Sequence, residues 1–298
     1  MTYTLLGKDF VPPDVHAKVT GTARYAEDFK VDGMLYSRLL TSPVPHARVR
    51  SIDVTAAMAI DGVMAVLTAD DVPAPDGASN PILTNNPRYV GDPILAVAAT
   101  SEKIAEDAIA AIDIDFEHLP FTIDPLDSLR PGGSNAHPDG NVGNSALQDP
   151  IRTVRWTEED FAEAGDRLPL GEPAREWTVG DLDTGFADAA YILDESFVTA
   201  SNSHLSMEPR SALAYWENGK CFLYGSSQSQ SFPVPAMASY IGIPPEDLVF
   251  IAEFCGGGFG SKGAGYPAMS IPAHLSRLTG RPVMLRISRE EEYYIGSA

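Results

Sequence analysis

The stretch LVFIAEFCGGGFGSKG, residues 248–263, decides how this chain is read. Leu248 to Phe254 has the apolar and aromatic make-up of a buried strand. A helix is predicted from about Pro267 to Thr279, with Gly280 as its stop. Between them, Gly256-Gly-Gly-Phe-Gly-Ser-Lys-Gly263 is short of side chains. Backbone amides there can approach a ligand closely and adopt angles that other residues avoid. Ahead of a helix, such a segment suits an anionic, phosphate-bearing or oxo-bearing group. A P-loop is excluded, because Lys262 is followed by Gly263 rather than Ser or Thr. Gly258-x-Gly260-x-x-Gly263 matches a dinucleotide fingerprint formally, but too little chain follows to complete a doubly wound sheet. A plain structural turn is the third reading of the segment alone.

Around the cluster, residues 181–298 show further elements. Phe186 to Ala190 reads as a short helix and Tyr191 to Thr199 as a strand. Ala212 to Trp216 and Cys221 to Gly225 form a predicted hairpin, with Asn218-Gly219 supplying the positive φ angles of a two-residue turn. Val234 to Ile241 is helical, Pro244 to Asp247 leads into the strand at Leu248, and Val283 to Ile287 is a last strand. Residues 130–180 differ. They open on Pro131-Gly-Gly-Ser134, keep no apolar period and turn acidic between Trp156 and Trp177. They read as a solvated connector with one short helix, or as a surface that grips a partner through the two tryptophans.

Residues 1–129 alternate strand and helix signals. Met34 to Leu40, Val49 to Val54, Val63 to Leu67 and Ile94 to Ala99 are predicted strands. Thr100 and Ser101 are candidate N-caps for a helix whose Ile104, Ala108, Ile109 and Ile112 share one face. Asp113 to Phe116 alternates again, before Pro120 and Pro125. The fold class is α+β.

The composition narrows the function. With Lys+Arg 21 against Asp+Glu 41, the 298-residue chain carries a net charge of −20. That argues against wide contact with nucleic acid or anionic membrane, which needs clustered Lys and Arg. Hydrophobic content of 44% excludes a disordered chain. Two cysteines, Cys221 and Cys255, cannot by themselves ligate an iron–sulfur cluster. No apolar stretch is long enough for a membrane span, and Met1 to Asp9 has no signal-peptide pattern, so a cytoplasmic location is expected.

Several segments, in order, carry a resemblance. They are Lys18-Val-Thr-Gly-Thr-Ala-Arg-Tyr-Ala-Glu-Asp28, Gly33-Met-Leu-Tyr36, Ser42-Pro-Val-Pro-His-Ala-Arg48, Gly62-Val-Met-Ala-Val-Leu-Thr-Ala-Asp70 and Val90-Gly-Asp-Pro93. His204-Leu-Ser-Met-Glu-Pro-Arg210 and Gly256-Gly-Gly-Phe-Gly-Ser-Lys262 follow. Together they resemble the molybdopterin-binding large subunit of the xanthine dehydrogenase / aldehyde oxidase family. The resemblance implies a hammerhead α/β domain over 1–129, a connector over 130–180, and the first, incomplete part of a molybdopterin-binding domain over 181–298. It also implies a molybdenum–pterin cofactor, in its cytosine dinucleotide form. The activity implied is hydroxylation of an aldehyde or aromatic N-heterocycle carbon with water-derived oxygen. Electrons would leave through 2Fe-2S clusters and FAD on partner subunits.

The same resemblance assigns residues. Gly257, Gly258, Phe259 and Gly260 correspond to the loop beside the metal's oxygen ligands, with Phe259 also facing the substrate. Asn202 stands where many members carry a Gln that bonds an oxo ligand, and is one methylene shorter. Gln228 matches a frequent glutamine that contacts cofactor or neighbouring backbone. Gly263 stands where purine-oxidising members carry a Glu, which argues against the usual recognition of xanthine. Glu208 is expected to be structural, His204 packed and hydrogen-bonded, and Cys255 a small buried hydrophobe. No residue ligates the metal directly. The family's catalytic Glu lies beyond this sequence and is matched by none of Glu290, Glu291 or Glu292. Either the gene is split, with this Glu expected on a second molybdopterin subunit alongside Fe-S and FAD subunits, or the chain is truncated; a split is the favoured expectation. The competing reading is a non-catalytic assembly or cofactor-handling protein with the same domains.

Overall fold

The computed structural model describes residues 4, 6–75, 80–134, 141–143, 152–154, 156–169, 177–195, 197 and 202–295. The chain forms two units, one from residues 1–118 with 202–298 and one from 119–201. The strands are β1 (Leu35–Thr41), β2 (Ala47–Asp53), β3 (Val63–Thr68), β4 (Pro93–Ala99), β5 (Asp113–His118), β6 (Asn141–Gly143), β7 (Arg152–Val154), β8 (Ala212–Glu217), β9 (Lys220–Gly225), β10 (Leu248–Ile251) and β11 (Val283–Leu285).

The first unit is built on a seven-stranded sheet in the order β10-β9-β8-β11-β1-β4-β3. The apolar run predicted at 94–99 is β4, and all seven of its residues are buried. Its side chains divide by parity, as a pleated strand requires. Leu95 and Val97 pack with Ala57 and Ala108, while Ala96 and Ala98 join the larger core on the other face. The helix Glu102–Ala110 begins where predicted, with Ser101 Oγ accepting from the Ile104 amide at 3.2 Å. It covers one face together with the β2–β5 ladder, while the helices Pro233–Ile241 and Ile271–Thr279 fill the other.

The hairpin of β8 and β9 turns on Asn218 and Gly219, with φ of 50° and 79°. Gly242 and Gly280, at 73° and 65°, end the two helices as left-handed caps. Less visible in the sequence is the pairing of β1 with β11, a parallel ladder between Leu35 and Val283. It joins the first strand to the last inside one sheet.

The second unit holds the β6–β7 ladder and two short helices, Glu158–Ala164 and Leu182–Asp188. The first starts on a capping box, in which Thr157 and Asp160 exchange hydrogen bonds of 3.1 and 2.7 Å. The second lies ahead of the predicted Phe186–Ala190, because Asp181 caps it by accepting from the Thr184 amide at 3.1 Å. The strand predicted at Tyr191–Thr199 is not formed over its described residues, 191–195 and 197. Tyr191, Leu193 and Phe197 are exposed, and no described strand pairs with them. An extended segment without a ladder partner gains neither hydrogen bonds nor burial.

Cys221, in β9, is fully buried, and burial pushes its thiol up to about 12. Cys255 is half-buried instead of sealed as expected. Because the thiolate is the reactive form, a thiol reagent at mildly alkaline pH should modify Cys255 and spare Cys221 until the protein is unfolded. Peptide mass mapping of the labelled chain checks this.

Candidate cofactor site

The site follows from the order of β8, β9 and β10. β9 and β10 are parallel neighbours, so the segments leaving Gly225 and Ile251 emerge from the same end of the sheet. β8 is antiparallel to β9, with Ala212 opposite Gly225, so the segment entering it arrives at that end too. Residues 202–211, 226–230 and 256–263 therefore converge, as loops at the carboxyl ends of parallel strands do. The Ser226 amide donates to Ser211 O at 3.1 Å, and Glu208 N donates to Gly256 O at 3.3 Å.

The glycine loop is fixed by contacts that leave no room for a side chain at Gly256 or Gly258. A Cβ at Gly258 would stand 2.2 Å from Gln228 Oε1, and one at Gly256 would stand 2.4 Å from Glu208 Cβ. Gln228 Oε1 accepts from the Gly260 amide at 3.0 Å, and the Gln228 backbone amide donates to Lys262 O at 3.2 Å. Gln228 thus holds neighbouring backbone, one of the two roles expected of it. Ser261 closes the turn by donating to Gly258 O from both its amide and its hydroxyl, each at 2.9 Å.

Gly257, Phe259 and Gly260 take positive φ angles of 111°, 51° and 102°. Phe259 does so without the freedom of glycine, a strain that functional loops often store, and it is 73% exposed. Among the described residues, the amides of Gly257, Gly258 and Phe259 donate to no protein acceptor. Gly263 needs no special angle. A Cβ there would meet nothing closer than Gly260 O at 3.5 Å. Asn202 lies exposed on the incoming segment, and no described hydrogen bond joins it to the loop. His204 is half-buried, and its buried Nδ1 has no partner among the described residues, against the expected hydrogen bond.

Beneath the loop lies a charged layer that the sequence did not reveal. Glu208 is buried and accepts from the Gly256 amide at 2.7 Å and the Ala26 amide at 3.4 Å. Lys262 is fully buried. Its ammonium donates to Glu208 O and lies 3.8 Å from Glu208 Oε2. Desolvation lowers the Lys262 pKa, with Glu208 opposing the shift. Arg210 pairs with Glu292, both 2% exposed, and donates to Ser261 O at 2.9 Å. Residue type alone marks such charges as surface groups.

This arrangement presents free amides on a loop whose Gly256 and Gly258 admit no side chain. It suits an anionic or oxo-bearing group, which backbone N–H groups bind without adding charge. Among the described residues, no group of three or more His, Cys, Asp or Glu side chains is placed to hold a metal ion. The formal dinucleotide fingerprint lacks its context, since residues 264–266 and a 3₁₀ turn at Pro267–Ser270 separate Gly263 from the helix Ile271–Thr279.

Fold and loop together define an α+β cofactor-binding chain in which strand ends deliver a glycine cradle. Family comparison is specific on both parts. The a/b hammerhead domain of aldehyde oxidase and xanthine dehydrogenase matches residues 20–120, and the molybdopterin cofactor-binding domain matches 149–298. The chain belongs to the aldehyde oxidase and xanthine dehydrogenase family of molybdopterin-binding subunits.

Among its relatives is a probable xanthine dehydrogenase subunit of Bacillus subtilis, 30% identical over 96% of this chain and 35% of the relative. The nicotinate dehydrogenase large molybdopterin subunit of Eubacterium barkeri is 29% identical over 99% of this chain and 64% of its own length. Quinoline 2-oxidoreductase from Pseudomonas putida matches in structure with a TM-score of 0.76 and 28% identity, over 96% of this chain and 35% of its own. The chain thus spans only part of the relatives it matches. The expected hammerhead and molybdopterin-binding domains are both borne out. Among the described residues no helix is long and apolar enough to cross a membrane.

Proposed function

We propose that this chain supplies one side of the molybdenum–pterin pocket in an enzyme that hydroxylates an aldehyde or an aromatic N-heterocycle. The observation that carries the reading is the set of free amides at Gly257, Gly258 and Phe259, in a loop where Gly256 and Gly258 admit no side chain. When bound, the cofactor supplies the redox step and an activated, water-derived oxygen. This chain's residues orient and exclude. Amides of the loop bind the anionic group, and Gln228 keeps Gly260 in place. Phe259 offers an exposed ring to the substrate. Gly263 supplies no carboxylate beside the loop, so a substrate other than xanthine in its usual mode of recognition fits best. Asn202, exposed on the incoming segment, is assigned to the same cofactor-binding set.

The family's catalytic Glu and the rest of the pocket come from outside these 298 residues. Electrons pass to 2Fe-2S and FAD subunits of a cytoplasmic complex. The names of the relatives, which refer to xanthine, nicotinate and quinoline, support the heterocyclic half of that substrate class.

The test is elemental and nucleotide analysis of the complex purified through this chain. Molybdenum should be present in proportion to the chain, and denaturation should release a cytosine nucleotide. An active complex free of molybdenum overturns the proposal.

A further inference from the structure

We infer that Arg210 and Glu292 are positioning residues for the cofactor loop, and that the helix Arg289–Ile295 sets the loop's shape through them. The inference rests on the functional reading above. Glu292 lies on that helix, at a distance in sequence from the loop, and its carboxylate is filled by one residue. Oε2 accepts from the Arg210 amide at 2.7 Å and Oε1 from the Arg210 guanidinium. The other terminal nitrogen of the same guanidinium donates to Ser261 O at 2.9 Å. Ser261 in turn closes the turn that carries Gly258 and Phe259. The planar fork therefore converts the position of one helix into the position of the loop, through rigid atoms only.

A second residue of the helix grips the neighbouring segment. Arg289 donates to Ser206 O and Met207 O at 2.8 and 2.9 Å. Both walls of the site thus lean on one short helix. Stability alone does not explain the arrangement. A buried ion pair is commonly no more stabilising than apolar residues of the same volume. Arg210 Nε, moreover, is buried with no acceptor among the described residues. What the pair provides is geometry.

The experiment compares Arg210→Lys with Glu292→Gln in the purified complex. Three quantities are read: molybdenum per chain, thermal midpoint, and hydrogen exchange of the 257–262 amides after cofactor removal. Arg210→Lys keeps the charge facing Glu292 but cannot also reach Ser261. It should lose about tenfold in molybdenum occupancy, the size typical of a lost supporting contact, with faster loop exchange and a modest drop in midpoint. Glu292→Gln keeps an acceptor and the Ser261 contact but strands a buried cation. It should drop further in midpoint than Arg210→Lys, yet lose less occupancy and less loop protection, because only part of the hold on the guanidinium is gone while the Ser261 contact stays. Should that variant fail to accumulate, Glu292→Asp takes its place.

Occupancy that follows the thermal midpoint across both variants, or wild-type occupancy and protection in Arg210→Lys, overturns the inference. A wild-type complex without molybdenum overturns the functional reading instead. The exchange comparison, made without cofactor, still decides whether Arg210 shapes the loop.

Discussion

Gly260→Val is expected to empty the cofactor site while leaving the fold standing. Gly260 has φ of 102°, where a side chain is strained and a β-branched one most of all. Among the described residues, no atom beyond its chain neighbours lies within 4 Å of where its Cβ would go. The new side chain therefore points into the open space of the cradle, and nothing in the core is displaced. The strain costs about 1–3 kcal/mol, less than the roughly 5–15 kcal/mol that holds a typical domain together. The cradle suffers more, because the relief available to the backbone is to turn the Gly260 amide off Gln228 and move Phe259 with it. Misplacement on the scale of an ångström costs about a hundredfold in rate. Turnover in the complex should fall by at least that much, with molybdenum content falling alongside and circular dichroism unchanged. Normal turnover in this variant would remove the loop from the active site. Gly258→Ala should act differently, by pushing Gln228 away through direct collision.

The contrast between those glycines shows where sequence reading succeeds. Local chemistry was legible: Asn218-Gly219 demanded a tight turn, Ser101 a helix start, Gly280 a helix stop, and each is found. The glycine loop was legible for the same reason, since missing side chains are visible in a sequence. Which amides stay free was not, because that depends on Gln228, a residue thirty-two positions away.

Non-local terms were hidden altogether. The ladder between β1 and β11 has no signature in either strand. Tyr191 to Thr199 has strand composition, yet composition cannot report whether a partner exists. Arg210, Lys262 and Glu292 look like solvated charges and are among the most buried residues in the protein. Their burial is decided by one another: each charge is tolerable inside only because an opposite charge and several backbone groups come with it.

That mutual dependence gives the largest expected effect on stability, in Lys262→Met. Methionine matches the length of the lysine stem, so packing is preserved and the change is confined to the polar head, its hydrogen bond as well as its charge. The ammonium's bond to Glu208 O is lost, and the Glu208 carboxylate stays buried without its cation. Removing one member of a buried pair costs about 3–5 kcal/mol, which denaturant unfolding of the full chain should register. The double variant Lys262→Met/Glu208→Gln should recover part of this loss, since both charges then leave together and the glutamine side chain can keep its bond to Gly256. Failure of the second substitution to restore anything would mean that packing, not charge, is what Lys262 contributes.

The pH dependence has a definite sign. Burial lowers the native pKa of Lys262 below its ordinary 10.5. Between the two values the unfolded chain binds the extra proton, and wild-type stability rises with pH. Methionine has no such titration. The deficit of Lys262→Met relative to wild type should therefore widen as the pH is raised toward 10.5. A deficit that narrows over that range would show that native Lys262 holds its proton more tightly than the unfolded chain does, and that Glu208 outweighs desolvation at this site.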